Sequence, residues 1–559
     1  MASHRPLFTA SRGQTLTYLL AVCPFSIAFL VFINATVSFI VTDLIGLHDG
    51  EGDAVGTLGF ADELLALAAC PLWGMLSDRV GVRHVCTVGY AIVALALVLF
   101  VQAKNIYPQL LLGRLLFSIG GSAVSTMVTA VLPAVTRKSF GGETRQESTE
   151  GTTHQDDSRL GQEGGNESHS PSSRLAGFAG MFAGCGALVS LAVFLPLPGR
   201  FQKSGMSPAQ ALQYSYYIVA IVAVLVSVWC FIGLRNLLGE DRKGWRSLLL
   251  VSRHSQDPSN AHANSPSLLP HMPYWKQAGI ALALGFRNRS IGLGYLGGLV
   301  ARASSVGISL FIPLSVNRYY RASGLCEGNP NTEPGGIGDI KRSCSKAYIL
   351  ASILTGVSQL VALIAAPAFG FLSEKSRRYH LPLLFATLSG ITGYIAFALL
   401  PSPQFKGEDG NPGVFVIMAL IGISQIGAIV CSLAVLSNGI LSISASDQFL
   451  KQIYSSEASH EANQGPQDDN GDVTEQQPLL DTQPDQHRSL HQLPHLKGSI
   501  AGVYSLFGGA GILFLTKVGG LLFDVLSPGA PFYIMAGFNG VLCLAVFVSG
   551  LLSKPSSVL

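Results

Sequence analysis

The sequence predicts an all-α polytopic membrane protein, twelve transmembrane helices in two pseudo-symmetric six-helix bundles. Three observations predict it. First, 48% of the 559 residues are hydrophobic and only 12% are charged, where a soluble chain carries roughly 25% charged residues. Second, twelve apolar runs reach the spanning length of about 18–25 residues. Third, Gly74-Met-Leu-Ser-Asp-Arg-Val-Gly-Val-Arg83 returns as Gly370-Phe-Leu-Ser-Glu-Lys-Ser-Arg-Arg378. Both copies directly follow an apolar run, so the chain is a duplicated bundle, an architecture associated with alternating access.

The spans fall near 16–40, 54–76, 86–103, 109–134, 175–197 and 213–234, then near 290–316, 346–372, 381–401, 413–442, 498–523 and 530–552. Lys and Arg set the orientation. The connection between spans 1 and 2 has none, whereas Arg79 and Arg83 follow span 2, and Lys375, Arg377 and Arg378 follow span 8. Both termini are therefore expected in the cytosol, against the sense of Arg318, Arg321, Lys341, Arg342 and Lys346 on the outer side. Spans 5 and 11 echo each other without gaps from Ala176 and Ala501. The echo pairs Gly177 with Gly502, Phe182 with Phe507, Gly184 with Gly509 and Gly186 with Gly511.

The domain organisation follows: a cytosolic N-terminus 1–15, an N-terminal bundle 16–234, a central cytosolic linker 235–289, a C-terminal bundle 290–552 and a cytosolic tail 553–559. The polar stretches at about 139–173 and 443–497 read as disordered cytosolic inserts. Residues 274–289 form either a surface helix or an extension of span 7. Seven of the nine cysteines lie in or beside apolar runs as small core residues. Cys326 and Cys344, in the outer loop after span 7, are a candidate disulfide.

The loop repeat resembles that of the major facilitator superfamily, with Gly74, Leu76, Asp78, Arg79, Gly81 and Arg83 on its pattern, and Gly370, Leu372, Glu374 and Lys375 in the second copy. Arg377 replaces the second glycine. Arg114 with Gly120 in span 4 resembles a motif of proton-coupled members, although Ser118 stands where a glycine is expected. Span 5 has the glycines of the antiporter motif at 177, 180, 184 and 186 without its proline. Gly519-Gly520, Asp524 and Pro531-Phe532-Tyr533 add weaker likeness. The resemblance covers all twelve spans. It implies the two-bundle fold and secondary transport, with fungal vacuolar and multidrug-type carriers among the versions it admits. Such loop motifs mark a family and not a substrate.

Charges inside a bilayer are costly and are functional candidates by default. Four stand out: Asp62 and Glu63 in span 2, Arg114 in span 4 and Arg302 in span 7. At 1.5 Å per residue, Asp62 lies about 12 Å deep, Arg114 about 8 Å, and Arg302 about 18 Å up from the opposite end. In a core of about 30 Å these share one layer. Asp62 or Glu63 is the expected coupling acid; the competing reading makes one of them a fixed partner of Arg114 and turns the other to the outer headgroups. Neighbours on a helix point about 100° apart, so at most one of the two is expected to face the cavity directly. Arg302 has a second reading as the binder of an anionic group.

Gly74, Asp78, Arg79, Gly81 and Arg83, with Gly370, Glu374 and Lys375, read as a conformational latch, a cytosolic-end acid interacting with a helix N-terminal pole or with nearby Arg residues. Asn34, Gln359, Gln425, Asn438 and Asn539 are cavity donors or, with more weight, helix–helix hydrogen bonders. Lys517 is expected toward the inner end of span 11, snorkelling. Glu475, Leu479 and Leu480 resemble an acidic dileucine sorting signal.

No phosphate-cradling loop, metal cluster or nucleophile elbow is spelled out, so neither an enzyme nor an ATP-driven pump is expected. No cofactor is needed beyond a proton gradient. The expectation is a monomeric, proton-coupled carrier of small organic solutes in a vacuolar, lysosomal or plasma membrane. Its partners are solute and lipid, with a sorting adaptor on 443–497 and no nucleic acid. The alternative is a transporter-like receptor without net transport.

Overall fold

The computed structural model describes residues 11–45, 51–136, 171–237, 274–323, 345–375, 381–406, 410–461 and 496–552. Twelve helices among them are long and apolar enough to cross a membrane. In the first half they are Arg12–Val37, Gly56–Val80, Val82–Phe100, Ile106–Thr136, Ser173–Gln202 and Ala209–Gly233, spans 1 to 6. In the second they are Arg289–Tyr320, Ile349–Lys375, Leu381–Ala398, Val414–Ser442, Lys497–Val525 and Ala530–Leu551, spans 7 to 12.

The packing repeats between halves. Span 1 packs on 5, 2 on 4, and 3 on both 4 and 6; span 7 packs on 11, 8 on 10, and 9 on both 10 and 12. Across the halves, span 2 packs on 11 and span 5 on 8. Even a local irregularity is duplicated. π-helical turns begin at Ser190 in span 5 and at Leu515 in span 11, the same offset that pairs Ala176 with Ala501.

Lipid offers no hydrophobic drive between helices, so close packing and hydrogen bonds must hold them. In the N-terminal bundle, the Tyr18 hydroxyl donates to the Val128 carbonyl at 2.8 Å and the Tyr90 hydroxyl to that of Val22 at 3.0 Å. Thr36 and Tyr216 join at 2.6 Å beside the Phe32 ring. In the C-terminal bundle, Phe397 sets its edge to Phe532 at 4.6 Å between ring centres, and the Ser304 and Tyr394 hydroxyls hydrogen-bond.

The two crossings between halves depend on glycine. A Cβ on Gly74 would stand 2.3 Å from the Gly498 carbonyl oxygen, and one on Gly177 would stand 2.8 Å from the Gly370 Cα. Those neighbours are backbone and cannot step aside. Gly81 is needed for a different reason: at φ +98° it turns the chain between spans 2 and 3, a conformation other residues rarely adopt.

At one boundary the structure takes one of the two expected forms, and at another it departs from expectation. Residues Tyr274–Arg287 are a separate helix. Asn288 leaves helical geometry, and its side chain accepts from the Ser290 and Ile291 amides to start span 7 afresh. The helix under span 10 runs on to Glu461, into the stretch expected to be a linker. Composition misled there, because the segment is Ser-rich; yet it has no Gly or Pro between 441 and 464, and so nothing to stop a helix.

If the glycine crossings hold one face closed, Gly74→Leu should open it without unfolding the protein. Alkylation of a cysteine placed at Ser122, in a background lacking the native cysteines, should speed up several-fold from the face that carries Gly81. An unchanged rate in folded protein would count against the crossing as a seal.

Candidate functional site

A central cavity lies between the halves, about 870 Å³ with its open mouth included, and reaches spans 1, 2, 3, 4, 7 and 11. Span 1 contributes Phe25, Phe29 and Leu30, and span 4 contributes Phe117, Ser118, Ser122 and Ser125. Asp62, Glu63 and Arg302 also line it.

The two adjacent acids have different surroundings. Asp62 is 6% exposed and Arg114 4%. Arg114 Nη2 lies 2.5 Å from the Asp62 carboxylate and donates to Asn34 Oδ1 at 2.5 Å. The Ser118 hydroxyl donates to the Asp62 backbone carbonyl at 2.8 Å, tying spans 2 and 4; the residue that departs from the family motif has a structural use. Nε and Nη1 of Arg114 find no acceptor among the described residues, so Asp62 is the main compensation for a buried cation. Glu63 is half-buried, faces the cavity and makes no side-chain hydrogen bond or ion pair among the described residues.

Arg302 does not join that pair. Its Nη2 donates to the Ser125 hydroxyl at 2.7 Å, and from Arg114 to Ser125 span 4 advances about 16 Å. The expected single charged layer is therefore two levels. The cause is Gly508 in span 11: a Cβ there would stand 2.7 Å from Arg302 Cγ, so the missing side chain opens a route across the helix toward Ser125. Ser125 was not anticipated. Neither was Ser505, one turn before Gly508, which lines the cavity with a buried hydroxyl that has no partner among the described residues.

The other polar candidates stitch helices. Gln359 donates to Gln425 and Gln425 to Ser305, both at 3.0 Å. Asn539 accepts from Ser424 at 3.1 Å and Asn438 donates to Ser173 at 3.5 Å. Lys517 requires a correction. Its Nζ sits 4.0 Å over the Phe60 ring, near the start of span 2 and so at the predicted outer side. On the predicted orientation span 11 begins on the inner side at Lys497, and residue 517 is most of the way along it.

At the opposite end, beside Gly81, two acids bridge the halves. Asp78 Oδ1 accepts from the Gly498 amide at 2.7 Å, and Oδ2 from the Ser499 amide at 2.7 Å and hydroxyl at 2.6 Å. These are the first amides of span 11, where the helix dipole favours an anion. Glu374, at the matching position of span 8, accepts from Arg174 Nε at the start of span 5. Arg174 also sits 5.3 Å over the Phe371 ring. It was missed, although extending the echo of spans 5 and 11 two residues upstream pairs it with Ser499. Arg83 bonds within the first half, to the Phe231 carbonyl at 2.7 Å, over that residue's ring. Arg79 ends span 2 and Lys375 ends span 8, the latter exposed. Cys326, Cys344, Glu475, Leu479 and Leu480 lie outside the described residues.

Breaking a buried ion pair costs about 3–5 kcal/mol, so Asp62→Asn should lower the melting temperature sharply while Glu63→Gln leaves it near wild type. Equal melting shifts in the purified variants would contradict the division between a fixed and a free acid.

A family model described as the Major Facilitator Superfamily matches residues 20–144. Among solved structures, a Major Facilitator Superfamily transporter, FucP, in the outward conformation, superposes with a TM-score of 0.51 at 13% identity, over 97% of this chain and 100% of that one. The proton:xylose symporter XylE bound to 6-bromo-6-deoxy-D-glucose gives 0.49 at 12% identity, over 95% and 94%. No curated protein matches the sequence significantly. The helix count, the duplicated packing, the family model and the FucP superposition agree: the chain is a twelve-span membrane protein with the fold of the Major Facilitator Superfamily.

Proposed function

We propose that this protein is a secondary active transporter of small organic solutes, working by alternating access and coupled to protons through Glu63. The observation that carries the reading is the central cavity: a carboxyl without a fixed partner faces it, between two bundles joined at one end by paired, symmetry-related contacts. A carboxyl exposed to such a cavity changes protonation when its surroundings change. Asp62 cannot serve this role without stranding Arg114.

Asp78 and Glu374 are the latches that hold the cytosolic face shut in this state. Each joins one half to the start of a helix in the other, so rocking must release both together. A carboxylate at a helix N-terminal pole contributes about 0.3–2 kcal/mol, strong enough to bias a two-state equilibrium and weak enough to be reversed by ligand binding.

Proteoliposomes of purified protein, screened against pooled amino acids, sugars, organic anions and cationic drugs, should show a solute-dependent pH change. Glu63→Gln should abolish that change and any pH-driven accumulation, yet keep solute counterflow. Loss of counterflow as well, in folded protein, would assign Glu63 to binding and not to coupling.

The second latch is tested by charge reversal. Arg174→Glu alone should cut turnover several-fold with normal abundance, and adding Glu374→Arg should restore much of it. If the double variant is no better than the single one, the pair is not the latch.

A further inference from the structure

The cavity's charges narrow the solute, given the reading of Glu63 as the coupling acid. Asp62 and Arg114 cancel within their pair. Arg302 brings a positive charge, and Glu63 is either ionised or neutral. The groups that act on Glu63 or line the cavity with it are Asp62 on its own span, Arg114 of span 4, Arg302 of span 7, Tyr90 of span 3, and Cys70 two turns further along span 2. Lys517 of span 11 stands over Phe60, one turn outward. Counting the formal charges, the cavity lining is neutral with Glu63 ionised and carries one positive charge with Glu63 protonated. Lys517 adds a further positive charge at the outer side. Neither state offers a home to a lone cation.

The donors point the same way. The guanidinium of Arg302 spends Nη2 on Ser125 and, half-buried, keeps its remaining edge available. On the adjacent turn of span 11, Ser505 is 8% exposed, lines the cavity and has no hydrogen-bond partner among the described residues. A buried hydroxyl left unpaired costs roughly 1–3 kcal/mol, which an anionic oxygen bound beside Arg302 would relieve. The facing wall is apolar and aromatic: Phe25, Phe29, Leu30 and Phe117.

We infer that the transported solute is an organic anion with an apolar, ring-bearing body, its anionic group held by Arg302 and Ser505 while Glu63 carries a proton. Protonation of Glu63 removes the one competing anion from the neighbourhood of Arg302 and leaves a net positive site. Deprotonation restores that competitor and repels the solute. Proton and anion therefore bind together and leave together, and the cycle moves no net charge.

Three probes sharing one ring separate the possibilities: phenylacetate, phenethylamine and phenylalanine, an anion, a cation and a zwitterion. Binding is measured calorimetrically on the full-length protein in lipid nanodiscs. Phenylacetate should bind best, and more weakly as rising pH takes the proton from Glu63. Arg302→Gln should weaken it about 10- to 100-fold, as expected for loss of a charge-assisted contact. Gly508→Val, which displaces the Arg302 stem but keeps its charge, is the second variant and should also weaken binding, with melting curves confirming the fold of both. Preference for phenethylamine or phenylalanine, binding of none of the three, or phenylacetate affinity unmoved by both variants overturns the anion assignment. If both variants lose phenylacetate but Glu63→Gln keeps the wild-type pH dependence, the anion site stands and the coupling role of Glu63 falls.

Discussion

Two close backbone crossings, span 2 against span 11 and span 5 against span 8, set the geometry on which the rest of the molecule depends. At both, glycine faces glycine, Gly74 against Gly498 and Gly502, Gly177 against Gly370. In a bilayer, helix association comes from van der Waals contact and hydrogen bonds, and both grow as backbones approach. The approach brings Asp78 onto the first amides of span 11 and Glu374 onto Arg174. The cavity with Asp62, Glu63 and Arg302 on its lining lies between the same two halves. A side chain at either crossing would separate the acids from their partners.

The division of labour between Asp62 and Glu63 follows from helix geometry. Adjacent residues point in different directions: one carboxylate is directed at Arg114 and Asn34, the other into the cavity. The first neutralises a buried cation. The second has no fixed partner, and on this account that freedom is what lets it change charge during a cycle. Arg302 reaches the cavity from the other half across the gap left by Gly508, so the two halves contribute opposite charges to one space.

Much of this was legible in the sequence because duplication writes each feature twice. The loop repeat located spans 2 and 8 and the two acids that bridge the halves, and the glycine echo located spans 5 and 11. The four charged candidates were visible because charges are rare in apolar runs. What sequence spacing missed was lateral. Depth along a helix places Arg302 level with Arg114, but only the neighbour's missing side chain at Gly508 tells where its guanidinium goes. Ser125, Ser505 and Arg174 were hidden for the same reason: serine and a helix-end arginine are unremarkable until a partner across the bundle gives them a role. Lys517 was misplaced by counting from the wrong end of its span, and the helix beyond Ser442 was obscured by a polar composition that lacks any helix breaker.

The central claim is that one titrating carboxyl biases a two-state rocking of the halves. The most direct measurement is the distance between spin labels at Ile232 of span 6 and Leu381 of span 9, on the latched face, by pulsed electron paramagnetic resonance in nanodiscs. The account predicts two distance populations whose ratio shifts with pH in the wild type and does not shift in Glu63→Gln. A single distance at every pH, or a pH shift that survives Glu63→Gln, would contradict it.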